Sequence, residues 1–159
     1  MAASRYITEL RALVGTRLLV LPAVTAIIRD ETGRFLLARH VAGDRWGLIG
    51  GAVEPLEDPR AALAREVHEE LGVPCDVLEV LDSYGGHELA NEYPNGDRVS
   101  YVTTAYVCAI RGVPRAFETD ELSDIGWFSP SEVGELHRFH WIDRVISDAD
   151  RGRPGDPLA

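Results

Sequence analysis

Four glutamates between positions 57 and 70 have the spacing of a metal site. Glu66, Glu69 and Glu70 stand at i, i+3 and i+4, which on a helix projects all three carboxylates from one face, with Glu57 placed just before the first turn. Bare, such a cluster is costly. Two carboxylates about 4 Å apart repel by about 4 kcal/mol at an effective dielectric of about 20, whereas a helix-surface ion pair returns only about 0.2–0.5 kcal/mol. Either one carboxyl holds a proton at a raised pKa, or a hard divalent cation, Mg²⁺ or Mn²⁺, neutralises the set and leaves room for water and phosphate.

The neighbouring residues predict the helix that must carry this cluster. Asp58 is a suitable N-cap, Pro59 suits the first helical position and Gly72 suits the exit. Leu63, Val67 and Leu71 form an i, i+4, i+8 stripe beside the acidic one. Burying each of those side chains is worth about 1.5–3 kcal/mol, so one stripe anchors the helix and the other stays free for chemistry. Upstream, WGLIGG lies between strand and helix, and its paired glycines permit backbone geometries that a side chain would obstruct.

Around that helix the apolar pattern predicts a strand from Arg17 to Arg29, interrupted by Pro22 and running into a turn at Asp30-Glu31-Thr32-Gly33, with Phe35 to His40 as its return strand. Val77 to Tyr84 and Val99 to Ile110 read as further strands. The polar stretch between them carries the turn signal Pro94-Asn95-Gly96-Asp97 and is placed to wall a pocket. Ile125 to Phe128 reads as a short strand, Ser129 to Glu132 as a helical start, and Phe139 to Ile146 as another helix. Residues 4 to 13 place Tyr6, Leu10 and Leu13 at helical spacing, a short amphipathic helix to pack on the domain or on a partner subunit. A single domain is expected over residues 1–148, with 149–159 a disordered tail.

The net charge of −10, with no run of Lys and Arg, argues against a protein that neutralises duplex nucleic acid. Small phosphorylated substrates fit if a divalent ion offsets the repulsion between two anions. The first apolar run is too short to span a bilayer, so no membrane association and a cytoplasmic location are expected. Cys75 and Cys108 lack a second Cys or a His at zinc-ligand spacing and read as reduced structural thiols; the histidines show no metal pattern.

From Gly51 the chain reads Gly, five residues, Glu57, seven residues, Arg65-Glu66, Val67, His68, Glu69-Glu70, Leu71, Gly72 and Val73. This segment resembles the signature of the Nudix hydrolases at every defining position, and a looser resemblance extends over most of the chain. The resemblance implies the α/β class, an α/β/α sandwich around a mixed β-sheet. It also implies a Mg²⁺- or Mn²⁺-dependent hydrolase of a nucleoside diphosphate linked to another moiety. By that likeness Glu66 and Glu70 match the principal metal ligands, Glu69 a further ligand or base, and the carbonyl of Gly50 an additional ligand. Arg65 would orient Glu66, and Glu57 would support the set. Many relatives have Pro before the two glycines, where this chain has Ile49.

Similar proteins also suggest residues outside that segment. In relatives that hydrolyse nucleoside triphosphates, a Glu placed like Glu121, ahead of a Trp, reaches the metal cluster; the alternative is that Glu118, Asp120 and Glu121 form a solvated charged loop. Arg39, ending LLAR, is the candidate for substrate phosphate, against an ordinary surface role. Tyr93, Phe139 and Trp141 offer rings to stack a base, against core or lid packing, while Trp46 and Trp127 are assigned to the core.

The competing reading is a Nudix-fold nucleotide sensor that binds without cleaving, against which the full set of carboxylates argues. Isoprenoid diphosphate isomerisation would need a catalytic Cys near the pocket, and neither Cys75 nor Cys108 is placed for it. Nucleoside triphosphates, nucleotide sugars and other nucleoside diphosphate derivatives all remain open as substrates. Dimerisation through the N-terminal helix or an edge strand is compatible with the sequence.

Overall fold

The near-continuous apolar run LVLPAVTAII has the composition of a strand covered on both faces, and it forms the centre of the sheet. The computed structural model describes residues 5–116 and 121–152. There, β1 (Leu19–Ile28) lies between β4 (Ile49–Ala52) and β7 (Arg98–Ile110), parallel to β7 and antiparallel to β4. β7 also pairs with β5 (Cys75–Tyr84) and with the short β6 (Ala90–Glu92). Pro22 is tolerated because the β4 ladder stops at Ala23; its carbonyl accepts a hydrogen bond from the Val53 amide at 3.1 Å.

A second, antiparallel sheet has the order β3 (Arg45–Gly47), β2 (Phe35–His40), β8 (Leu122–Phe128). The expected hairpin between β1 and β2 is therefore corrected. The turn at Asp30 forms, with the Asp30 carboxylate accepting from the amides of Thr32 and Arg34, but Arg29 and Phe35 share only one bridge before the strands diverge into different sheets. Burial on both faces of β2 drives that divergence. Leu36 and Ala38 pack into one core, Phe35 and Leu37 into the other.

Helices cover both sides, which gives the expected α/β/α sandwich around mixed strands. α2 (Pro59–Leu71) seals one core with Leu63, Val67 and Leu71 against Val24, Ile28 and Ile49. Ile49 is fully buried there, so the position that holds Pro in many Nudix proteins is a core residue here. On the other side α3 (Pro130–Glu135), with a capping box between Ser129 and Glu132, and α4 (Trp141–Arg151) contribute Val133, Ile142, Val145 and Ile146. Trp46 packs edge-on to Phe128 at 4.8 Å, and Trp127 joins the α2-facing core.

α4 includes the buried Ala149 and continues to Arg151; residues 153–159 lie outside the described residues. α1 (Arg5–Val14) buries no residue fully, but Tyr6, Ile7 and Leu10 line a groove against β1 and the loop before α2, so it packs on its own domain. Arg11 ties it down through the carbonyls of Gly15, Arg17 and Arg98. Cys75 and Cys108, distant in sequence, are both free and sit diagonally on paired strands in the α2-facing core. Among the described residues no helix is long and apolar enough to cross a membrane.

Candidate active site

Two glycines let α2 approach the sheet. Gly50 has φ +147°, and a Cβ there would overlap the Val24 carbonyl oxygen across the β4–β1 ladder; a Cβ on Gly51 would fall on the Glu66 carboxylate. With no side chains in the way, the Glu66 carboxylate lies over Gly51, and the Gly50 amide donates to Glu70 Oε2 at 3.3 Å. The helix itself is set by its ends. Asp58 Oδ1 accepts from the amides of Arg60 (2.9 Å) and Ala61 (3.3 Å), and Gly72 closes the last turn in the left-handed region.

Arg65 organises the acidic residues. Its Nε and Nη2 grip the two oxygens of Glu57 at 2.8 and 2.9 Å, Nη1 donates to Glu66 Oε1 (2.8 Å) and Glu69 Oε2 (3.2 Å), and Nη2 also reaches the Ala52 carbonyl (3.2 Å). The guanidinium, with the Glu54 amide bonded to the same carboxylate, holds Glu57 below the usual carboxylate range. Glu57 is thus engaged with Arg65 rather than open to an ion.

Glu70 behaves oppositely. It is buried, and burial, then the charge of Glu66 and to a smaller extent those of Glu121 and Glu69, pushes its carboxyl up to about 8 against the opposing hydrogen bond of the Gly50 amide. Burial also raises Glu66, with Arg65 opposing. Glu121, immediately before β8, faces the same cavity as Glu70, and its charge is felt by Glu66 and Glu70. Glu118 and Asp120 lie outside the described residues.

Among the described residues no three acidic, His or Cys side chains stand as a closed metal cage, since Glu66 and Glu69 are turned toward Arg65. The donor chemistry nevertheless fits a hard divalent ion. Glu70 is a buried carboxylate with one long backbone hydrogen bond, pressed by three like charges, and all the available donors are oxygen.

The cavity measures about 600 Å³. Gly50, Gly51, Glu70 and Glu121 line it, together with a buried pair of hydroxyls, Thr25 and Thr103, 2.8 Å apart. The segment from Glu88 to Pro94, which includes β6 rather than being loop throughout, forms a wall and carries Tyr93, whose hydroxyl is 3.2 Å from that of Tyr101. Phe139 and Trp141 line the cavity too.

Arg39 does not line it. Successive strand residues face opposite sides, and on β2 it is His40 that borders the cavity, while the Arg39 guanidinium pairs with Asp44 at 2.7 and 2.8 Å. Burial lowers the His40 pKa, with the charge of Glu121 opposing. The guanidinium that does line the cavity is that of Arg45, which sequence reasoning missed. The only local signal for it is the pair of glycines two residues to either side, Gly43 and Gly47.

The family model for the NUDIX domain matches residues 20–149. A MutT-like protein of Streptomyces ambofaciens is 30% identical over 133 residues, covering 83% of this chain and 79% of that one. A CTP pyrophosphohydrolase of Escherichia coli K12 is 33% identical over 114 residues, 69% of this chain and 77% of its own. Among solved structures, a MutT NUDIX hydrolase from Burkholderia pseudomallei superposes with a TM-score of 0.66 at 27% identity, covering 80% of this chain and 95% of that one. The family model's match over most of the chain, together with these relatives and a shared fold, shows that the chain belongs to the NUDIX family and is a Nudix pyrophosphohydrolase.

Proposed function

We propose that this enzyme hydrolyses the diphosphate linkage of a nucleoside diphosphate bearing a further group, with Mg²⁺ or Mn²⁺ as cofactor. Water attacks one phosphorus, the bridging P–O bond breaks, and a nucleotide and a phosphorylated second product leave. The observation that carries this reading is Glu70, a carboxyl raised by burial and then by its acidic neighbours, beside the Gly50 amide in a cavity large enough for a nucleotide. Glu66 and Glu70, with the Gly50 carbonyl, would hold the ion, and Glu121 would join them from just before β8. When bound, the ion supplies charge neutralisation on the diphosphate and a lowered pKa for the attacking water. Glu69 is the exposed carboxylate of the set, suited to accept that water's proton or to ligate a further ion. Arg65 sets the direction of Glu66, and Glu57 holds Arg65.

Of the open substrate classes, nucleoside triphosphates have the support of the CTP pyrophosphohydrolase relative. Product release across a panel of nucleoside triphosphates, nucleotide sugars and other diphosphate derivatives, with Mg²⁺ and Mn²⁺ varied, tests the assignment. Glu66→Gln and Glu70→Gln are each expected to lower kcat at least about 100-fold. Near-normal turnover in both rejects the assignment of these glutamates, and binding without cleavage by the folded wild type across the whole panel rejects hydrolysis in favour of a sensor.

A further inference from the structure

Arg45 borders the same cavity as Glu70 and Glu121. Its Cζ lies 4.6 Å over the ring of Phe139, and among the described residues it has no carboxylate partner. Phe139 in turn meets the edge of His40 at 5.4 Å with the rings 81° apart. The slot for this stack is built by absences of side chain. A Cβ on Gly43 would press on Arg45 Nε and Nη2 at 3.1 Å, and one on Gly47 would strike His40 Nε2 at 2.9 Å and Phe139 at 3.1 Å. Backbone bonds then clamp the two segments together: the Trp46 amide donates to the His137 carbonyl (2.9 Å), the Phe139 amide to the Trp46 carbonyl (3.0 Å), and the His137 ring to the Asp44 carbonyl (2.9 Å).

Stacking uses only the face of a guanidinium. Its N–H donors all lie in the plane and remain available to a ligand edge. We infer that Arg45 reads the nucleobase, donating in its plane to a carbonyl oxygen, so that the enzyme favours guanine, cytosine or uracil nucleotides over adenine nucleotides. The inference rests on the proposed nucleotide chemistry. With the diphosphate at Gly50 and Glu70, the aromatic wall of Phe139 and Trp141 is left for the base, and flat rings hold a base better than a phosphate. Adenine alone among the four bases has no carbonyl oxygen: the acceptors it offers an in-plane donor are ring nitrogens, set back from the position of an exocyclic oxygen.

The test is equilibrium binding of the four α,β-methylene nucleoside diphosphates, which cannot be cleaved at the α–β bridge, to wild type, Arg45→Ala and Arg45→Lys, with melting curves to confirm that the variants fold. Wild type is expected to bind the guanine, cytosine and uracil analogues about ten-fold or more tighter than the adenine one. Arg45→Ala should bring those three to the adenine level and leave adenine within about two-fold, and Arg45→Lys, with the charge but not the planar fork, should not restore the preference. Equal binding of adenine by wild type, an equal loss for all four bases in Arg45→Ala, or recovery in Arg45→Lys overturns the inference, the last two by pointing to a packing role or to phosphate. Base preference without turnover of any diphosphate would overturn the hydrolytic assignment and keep this one; turnover without base preference would do the reverse.

Discussion

Arg65 serves Glu57, Glu66 and Glu69 at once, and two of those carboxylates are largely shielded from water. Removing it leaves shielded charge unpaired, so Arg65→Ala should cost about 1–3 kcal/mol in urea unfolding and lower kcat as Glu66 loses its direction. Arg65→Lys should recover only part of both, because one ammonium cannot replace a fork that reaches three side chains. A change in stability under about 0.5 kcal/mol for Arg65→Ala would show the network to be incidental. His40 gives a pH dependence whose sign follows from its lowered pKa. Between the ordinary histidine value and the lower folded one, the unfolded chain binds a proton that the folded chain does not, so stability falls as pH drops through that window and is regained as it rises. In His40→Gln the slope between about pH 7 and pH 5 should be shallower than in wild type; identical slopes would place the titrating group elsewhere.

The junction between β4 and α2 depends on two glycines with different tolerances, and they separate folding from catalysis. A Cβ on Gly50 would meet backbone, the Val24 carbonyl, in a strained conformation, so Gly50→Ala should lower stability by about 3 kcal/mol or more, or abolish folding. On Gly51 it would meet the far end of a flexible side chain, the Glu66 carboxylate. Gly51→Ala should therefore melt close to wild type while losing most of its turnover. If the order of the two melting temperatures were reversed, the contact geometry at this junction would be misassigned. The α2 element itself was legible from local spacing. The Asp58 cap, Pro59, the Leu63-Val67-Leu71 stripe and the Gly72 exit all lie within one helix, where a period of 3.6 residues decides which side chains share a face. The β1–β2 pairing was not, because a strand that is buried on both faces carries no mark of which sheet it joins.

For the protein as a body, the charge of −10 and an anionic substrate make electrostatic repulsion part of the encounter. With free divalent ion held constant, kcat/KM should rise as ionic strength goes from about 0.02 M to about 0.15 M, where screening shortens the reach of surface charge to about 8 Å. A steep fall would mean that the local field of Arg45 steers the nucleotide more strongly than the net charge repels it. The amino-acid order was enough for the acidic helix and the grouping of its side chains, since those groups are three, four and eight residues apart and one turn geometry relates them. Long-range strand registers were needed to bring Glu121 within the field of Glu70, to turn His40 rather than Arg39 to the cavity, and to lay Arg45 on Phe139. Glu121 and Glu70 are 51 positions apart in the chain, and Arg45 and Phe139 are 94 apart. No local period links them, because the contacts arise only when β8, β3 and the segment before α4 are docked on β2 and β1 by burial of their shared cores.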